Sequence, residues 1–181
     1  LCEVGFREIR RNSSNLNRLP SGSWTQLAVS KPIYHVELHT DGACLGNPGP
    51  GGWACIVRPL PDGDEQVLTG GEPATTNNRM ELMAVLEGLR SLPDASKVSL
   101  SADSQYVLKG MTEWLENWKR RGWRTASRKP VKNEDLWRAI DIECARLDIE
   151  TKWVEGHSGH AENERCDQLA KQQAEMFAEE R

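Results

Sequence analysis

Apolar and polar positions alternate along Ile33, His35 or Val36, Leu38 and Thr40, and this period of two, carried by β-branched and aromatic residues, predicts a half-buried strand. The Gly and Pro cluster of L-G-N-P-G-P-G-G is expected to stop it, which puts Asp41 at the strand's carboxyl end before a Gly-rich loop open to close backbone approach. An Asp-Gly turn opening an ordinary hairpin is the other reading of these residues. Trp53 to Pro59 and Glu65 to Gly70 read as second and third strands, joined by the turn Pro61-Asp62-Gly63-Asp64. The period then changes. Leu82, Val85, Leu86 and Leu89 recur at helical spacing, after T-T-N-N residues suited to an N-cap and before Pro93. Glu81 lies one position ahead of that stripe, in the first turn and flanking the buried face.

Val98, Leu100 and Ala102 alternate in a fourth strand that ends at Asp103, and a helical crossover from the first strand makes the two parallel. As neighbours, those strands would bring Asp41 and Asp103 together. Ser104 to Gly110 reads as a short helix, and Thr112 as the cap of a second that carries Trp114 and Trp118 at i and i+4. Asn133 is expected to cap a helix with Leu136, Ile140, Cys144 and Leu147 on its apolar side, followed by a fifth strand from Ile149 to Val154. The polar, Gly-rich stretch 155–160 then leads to a closing helix with Asp167 in its second turn. This order predicts an α/β domain over 32–178, preceded by a flexible leader over 1–31 and followed by a tail at 179–181. The leader, with Arg7, Arg10, Arg11 and Arg18, reads as a gene-boundary extension or, less well, as an organelle transit segment.

A chain of 181 residues suits one domain, and its 38% hydrophobic content holds no apolar run of membrane length. Five cysteines, odd in number and without a C-x-x-C pair, argue against a disulfide framework or a zinc knuckle and suit a reducing cytoplasm. A monomer is expected, because no spare apolar stripe asks for a partner. The net charge of -4 gives no hint of a nucleic-acid partner, but its distribution does. Lys119, Arg120, Arg121, Arg124, Arg128, Lys129 and Lys132 lie between Asn117 and Asn133 with no acid among them, the footprint of a polyanion-binding face.

Asp41, Glu81, Asp103 and Asp167 come from four separate predicted elements, each at a strand end or beside an inward helix face. Gathered in one crevice they would repel strongly, and divalent cations would relieve that repulsion. Oxygen ligands without His or Cys spacing select Mg²⁺ or Mn²⁺ over zinc, and two such ions would activate water and stabilise a leaving oxygen of a phosphodiester. Four unrelated surface acids among 27 is the plainer alternative.

The blocks D-G-A-C-L-G-N-P-G-P-G-G, T-T-N-N-R-M-E-L, D-S-Q-Y-V, N-W-K-R-R-G-W, K-P-V-K-N-E-D-L-W and G-H-S-G-H-A-E-N-E-R-C-D occur in that order between about Ile33 and Ala174. Together they resemble the signature blocks of bacterial-type ribonuclease HI, the type 1 ribonuclease H family. The resemblance implies a ribonuclease H-like fold, a five-stranded mixed sheet flanked by helices on both faces. It implies endonucleolytic hydrolysis of the RNA strand of an RNA-DNA hybrid, leaving 3′-hydroxyl and 5′-phosphate ends, with removal of RNA primers and R-loops as the cellular task.

By the same resemblance Asp41 would bridge two ions, Asp167 would help hold the one that activates water, and Glu81 with Asp103 would hold the one on the leaving-group side. His157 would assist proton transfer or product release. Asn47, Asn77, Asn78 and Gln105 would meet the minor groove, with backbone around Cys44 and Gly46 close to the RNA. Trp114, Trp118, Lys119, Arg120 and Arg121 resemble the family's basic handle for the DNA strand; the two tryptophans alone would also serve as a helix's packing face. Many relatives carry Arg two residues before the Thr that matches Thr76, whereas this chain has Ala74, so a DNA phosphate would rest on Thr76 and Asn133. A hybrid-binding module without catalysis, a detached reverse-transcriptase domain and a plain RNA duplex as partner are the competing readings.

Overall fold

The computed structural model describes residues 34–179. The expected leader over 1–31 and the last two residues of the tail lie outside the described residues. The elements are β1 (His35–Cys44), β2 (Gly49–Leu60), β3 (Gln66–Thr75), α1 (Asn77–Arg90), β4 (Lys97–Ala102), α2 (Gln105–Lys109), α3 (Leu115–Arg120), α4 (Glu134–Arg146), β5 (Asp148–Trp153) and α5 (Ala161–Glu179). The strands form one sheet in the order β3-β2-β1-β4-β5, antiparallel on the β1-β2-β3 side and parallel from β1 through β5, which is the mixed five-stranded sheet expected.

Each face of the sheet has its own apolar layer. On one, Val36, Leu38, Val98 and Leu100 pack beneath Leu82, Val85, Leu86 and Leu89 of α1 and Leu136, Trp137 and Ile140 of α4. On the other, Ala43, Ala54 and Ile56 meet Cys166 and Ala170 of α5. The small residues of that second layer draw α5 close, and glycines in β2 complete the fit: a Cβ on Gly52 would run into the Ala170 carbonyl. Here the structure departs from the sequence reading. The stretch after Asp41 does not end the strand, because β1 continues to Cys44 and the glycines at 49, 51 and 52 belong to β2, paired with Cys44, Ala43 and the β3 edge. The same pairing removes the alternative of a turn at Asp41-Gly42.

Two further differences lie in the helical half. The run from Gln105 to Arg120 continues through a π-helical turn at Gly110–Trp114 instead of restarting at Thr112, whose hydroxyl donates back to the Leu108 carbonyl at 2.8 Å. Gly110 carries this segment against the buried ring of Trp137, which a Cβ there would penetrate. Asn133 occupies the cap position of α4 but takes a left-handed backbone (φ 55°) and makes no side-chain capping bond; its amide donates to the Tyr106 hydroxyl at 3.3 Å instead. Thr76, by contrast, caps α1 as expected, accepting from the Arg79 N–H.

Candidate active site

Parallel pairing of β1 with β4 ends at His39 opposite Ser101; Asp41 stands two residues further along β1, and Asp103 two residues further along the chain, just past the end of β4. The third acid arrives from α1. A Cβ on Gly42 would collide with the backbone of Met80 and Glu81, so glycine at this position is what lets the first turn of α1 lie against β1 and deliver Glu81 to Asp41. The result is that Asp41, Glu81 and Asp103 each place a carboxylate oxygen within 4.8 Å of the others.

Asp41 and Glu81 are only 5% and 6% exposed, so their mutual repulsion is poorly screened. Burial, then the charges of Asp103 and Asp167, push the Asp41 carboxyl up to about 7, against the Gly42 N–H that donates to Oδ1 at 2.7 Å. Burial and the neighbouring Asp41 and Asp103 carry Glu81 well above the usual carboxylate range. Glu81 accepts from the Asn77 amide at 3.3 Å on Oε1, while its buried Oε2 has no hydrogen-bond partner. An orphaned buried oxygen among three crowded carboxylates fits a hard divalent cation, which would supply the missing positive charge. These three residues are the ones that could hold it.

Other predicted residues fall around that centre at different distances. Asp167 is not one of the three-acid group; its Oδ2 accepts from Lys171 Nζ at 2.7 Å, although its charge still reaches Asp41. His157 is exposed, with a left-handed backbone (φ 57°), in a loop pinned by Ser158 Oγ donating to the Glu155 carbonyl and Gly159 N–H donating to Glu164. Asn47, Thr76, Asn78 and Asn133 come together around a depression of about 410 Å³, and Asn47 accepts from the Asn77 N–H at 3.3 Å. Cys44 donates its thiol to the Gly46 carbonyl at 3.3 Å and holds the β1-β2 turn. Gln105 opens α2 and is exposed.

The handle residues are partly engaged. Trp114 and Trp118 pack in a tilted pair with ring centroids 5.7 Å apart, and Trp118 meets Trp137 edge-on at 5.4 Å, so both belong to the aromatic packing that anchors this region. Trp118 nonetheless lines an open hollow of about 280 Å³ with Tyr106, Lys129 and Lys132. Lys119 is paired with Glu116 and Asp141, and Arg120 donates to Asn117. Arg121 is exposed.

Asn163 and Tyr106, without a role in the sequence reading, and Lys132, known there only as part of the basic island, also support the site. Asn163, 3% exposed, donates Nδ2 to Asp103 Oδ2 at 3.3 Å. Lys132 supplies a cation to the depression that Thr76 and Asn133 line. Tyr106 receives bonds from Asn133 and Trp137. The available signal was spacing: Asn163 and Lys171 lie four residues before and after Asp167, on one face of α5.

A mixed α/β sheet whose adjacent parallel strands present carboxylates to a third from the first turn of a helix is an acid-cluster site that could hold a metal ion. The chain belongs to the RNase H family, whose model matches residues 34–175, on its bacterial type 1 ribonuclease HI branch. It is 59% identical over 140 residues to a ribonuclease H of Bordetella bronchiseptica, covering 77% of this chain and 89% of that one. It is 53% identical over 146 residues to ribonuclease HI of Vibrio parahaemolyticus, covering 81% and 94%. Among solved structures it resembles LC9-RNase H1, described as a type 1 RNase H with the type 2 active-site motif, at 36% identity and a TM-score of 0.72 over 81% of this chain and 75% of that one. LC11-RNase H1, solved in complex with an RNA/DNA hybrid, shares the fold at a TM-score of 0.56 and 19% identity, covering 78% of this chain and 97% of that one.

Proposed function

We propose that this protein hydrolyses the RNA strand of RNA-DNA hybrids endonucleolytically, with Asp41, Glu81, Asp103 and Asp167 holding two divalent ions. The observation that carries this reading is the convergence of three carboxylate oxygens within 4.8 Å in a family that cuts such hybrids. Bound there, Mg²⁺, or Mn²⁺ in its place, would supply Lewis-acid activation of water and neutralise charge on the departing oxygen. The chain's own residues do the rest. Asn163 and the Gly42 N–H fix two of the carboxylates in orientation. His157, exposed on its loop, would move a proton at the leaving group or ease product departure.

Substrate choice would fall to amide side chains that both donate and accept. Asn47, Asn77, Asn78 and Gln105, with backbone near Cys44 and Gly46, would meet the minor groove and its 2′-hydroxyls. The depression of Thr76, Lys132 and Asn133 would take a DNA phosphate, and Trp114, Trp118, Lys119, Arg120 and Arg121 would meet the DNA strand. Residues 32–178 would act as the catalytic domain, as a monomer in the cytoplasm. The free thiols of Cys44, Cys55, Cys144 and Cys166 support that location. Among the described residues no helix is long and apolar enough to cross a membrane.

The test is cleavage of one labelled RNA strand paired with DNA and, separately, with RNA, in Mg²⁺ and in chelator. Cutting of the hybrid alone, only with metal and leaving 3′-hydroxyl ends, is the expected result. Binding of the hybrid without cutting would leave a binding module in its place.

A further inference from the structure

Of the four predicted carboxylates, three converge and Asp167 is held by a cation of the chain's own. Its Oδ2 accepts from Lys171 Nζ at 2.7 Å, one turn further along α5. The Asp167 side chain is 18% exposed and that of Lys171 is 51% exposed, so the ammonium can leave for water without unpacking anything. Asp103 is secured differently, by the neutral, buried amide of Asn163. A neutral donor orients a carboxylate and leaves its charge available, whereas an ammonium occupies the charge itself.

We propose that Lys171 is a positioning residue that serves as a displaceable counter-ion for Asp167, holding this carboxylate until a divalent cation takes it over. The proposal rests on the reading of Asp167 as an ion holder. The ammonium and an incoming ion compete for the charge of one carboxylate, so an ion that takes Asp167 through Oδ2 displaces the lysine. An exposed Asp-Lys pair at i and i+4 contributes little to the stability of a helix, and loss of Lys171 therefore leaves the fold standing. Its consequence appears in ion binding: Lys171 raises the concentration of divalent cation at which the fourth carboxylate is engaged. Lys171 also acts on Asp41 through space, which extends its influence to the shared ligand.

The experiment is a calorimetric titration of the full chain with Mn²⁺, without nucleic acid, for the natural protein, Lys171→Met, Lys171→Arg, Asp167→Asn and the Lys171→Met, Asp167→Asn double variant. Lys171→Met is expected to bind the Mn²⁺ that engages Asp167 about threefold or more tightly. Lys171→Arg should stay near the natural value, and the gain should vanish when Asp167 is already Asn. Unchanged affinity in Lys171→Met, or the same gain in the double variant, would overturn the proposal. Lys171→Gln, checked by thermal melting, serves as the companion if Met disturbs folding. Because no hybrid is present, failure of the cleavage reading would show separately, in the natural protein's inability to cut.

Discussion

Gly42 and Glu81 lie in backbone contact, with no room for a Cβ between β1 and the first turn of α1. That contact places the Glu81 carboxylate beside Asp41, one residue away from the glycine in sequence. Gly42→Ala must therefore push α1 outward. We predict a destabilisation of about 1–3 kcal/mol, the usual cost of overpacking, measured by thermal melting, together with weaker divalent-ion binding by calorimetry. A variant with the natural melting temperature and ion affinity would show that α1 can shift freely, against this account.

Charge repulsion at the centre makes stability depend on pH in a definite direction. Asp41 is raised from an ordinary 3.8 to about 7, so the fold favours its protonated form. The stability this group contributes is full below about pH 4 and is lost as the pH rises through 7. Asp41→Asn removes the charge, so without divalent ions at pH 8 the variant should be more stable than the natural protein by about 1–3 kcal/mol. At pH 5 the gap should narrow, and saturating Mg²⁺ should close it from the other side by stabilising only the natural chain. Melting curves at the two pH values decide the matter; a gap that widens toward pH 5 would contradict it.

Asn163 has no charge to contribute, and its effect must come through Asp103. Asn163→Ala is expected to lower hybrid cleavage by about 10–100-fold, the common cost of losing a ligand's supporting partner, while the circular dichroism spectrum stays natural. Asn163→Ala with full activity would mean that Asp103 holds its position unaided.

Ala74 stands where many relatives place an arginine, and Lys132 is the cation that lines the nearby depression. Ala74→Arg is predicted to tighten binding to the hybrid and to steepen its salt dependence by about one counter-ion, read from the slope of log affinity against log salt. An unchanged slope would show that this position does not meet the phosphate backbone.

Much of this arrangement was legible from residue pattern alone, because the signals were local. The Leu82 to Leu89 stripe and the Thr76 cap specify α1, and strands ending near Asp41 and Asp103 with a helix between them must be parallel. What was not legible depended on neighbours distant in sequence. Gly49, Gly51 and Gly52 read as a loop because glycine usually breaks a strand, yet here Gly51 and Gly52 make room for Thr75 of β3 and for α5, and Gly49 for the carbonyls of the turn at Leu45 and Gly46. Thr112 reads as a cap, but Trp137 of α4 packs against Gly110 and the helix runs on past it. Asn133 has the right identity for a cap, but its side chain is taken by Tyr106, 27 residues away. The grip of Lys171 on Asp167 was present in the i, i+4 spacing and needed only the question of what such a pair does beside three acids.

Cleavage is proposed to depend on ions held by the carboxylates, with Asp41 at their centre. That dependence is tested most directly by comparing the natural protein with Asp41→Asn on a labelled RNA-DNA hybrid in Mg²⁺, with the melting curve of each preparation measured alongside. The expected variant is folded, at least as stable without metal, and without measurable cutting. A folded Asp41→Asn protein that still cuts the hybrid at a rate comparable with the natural chain would contradict it.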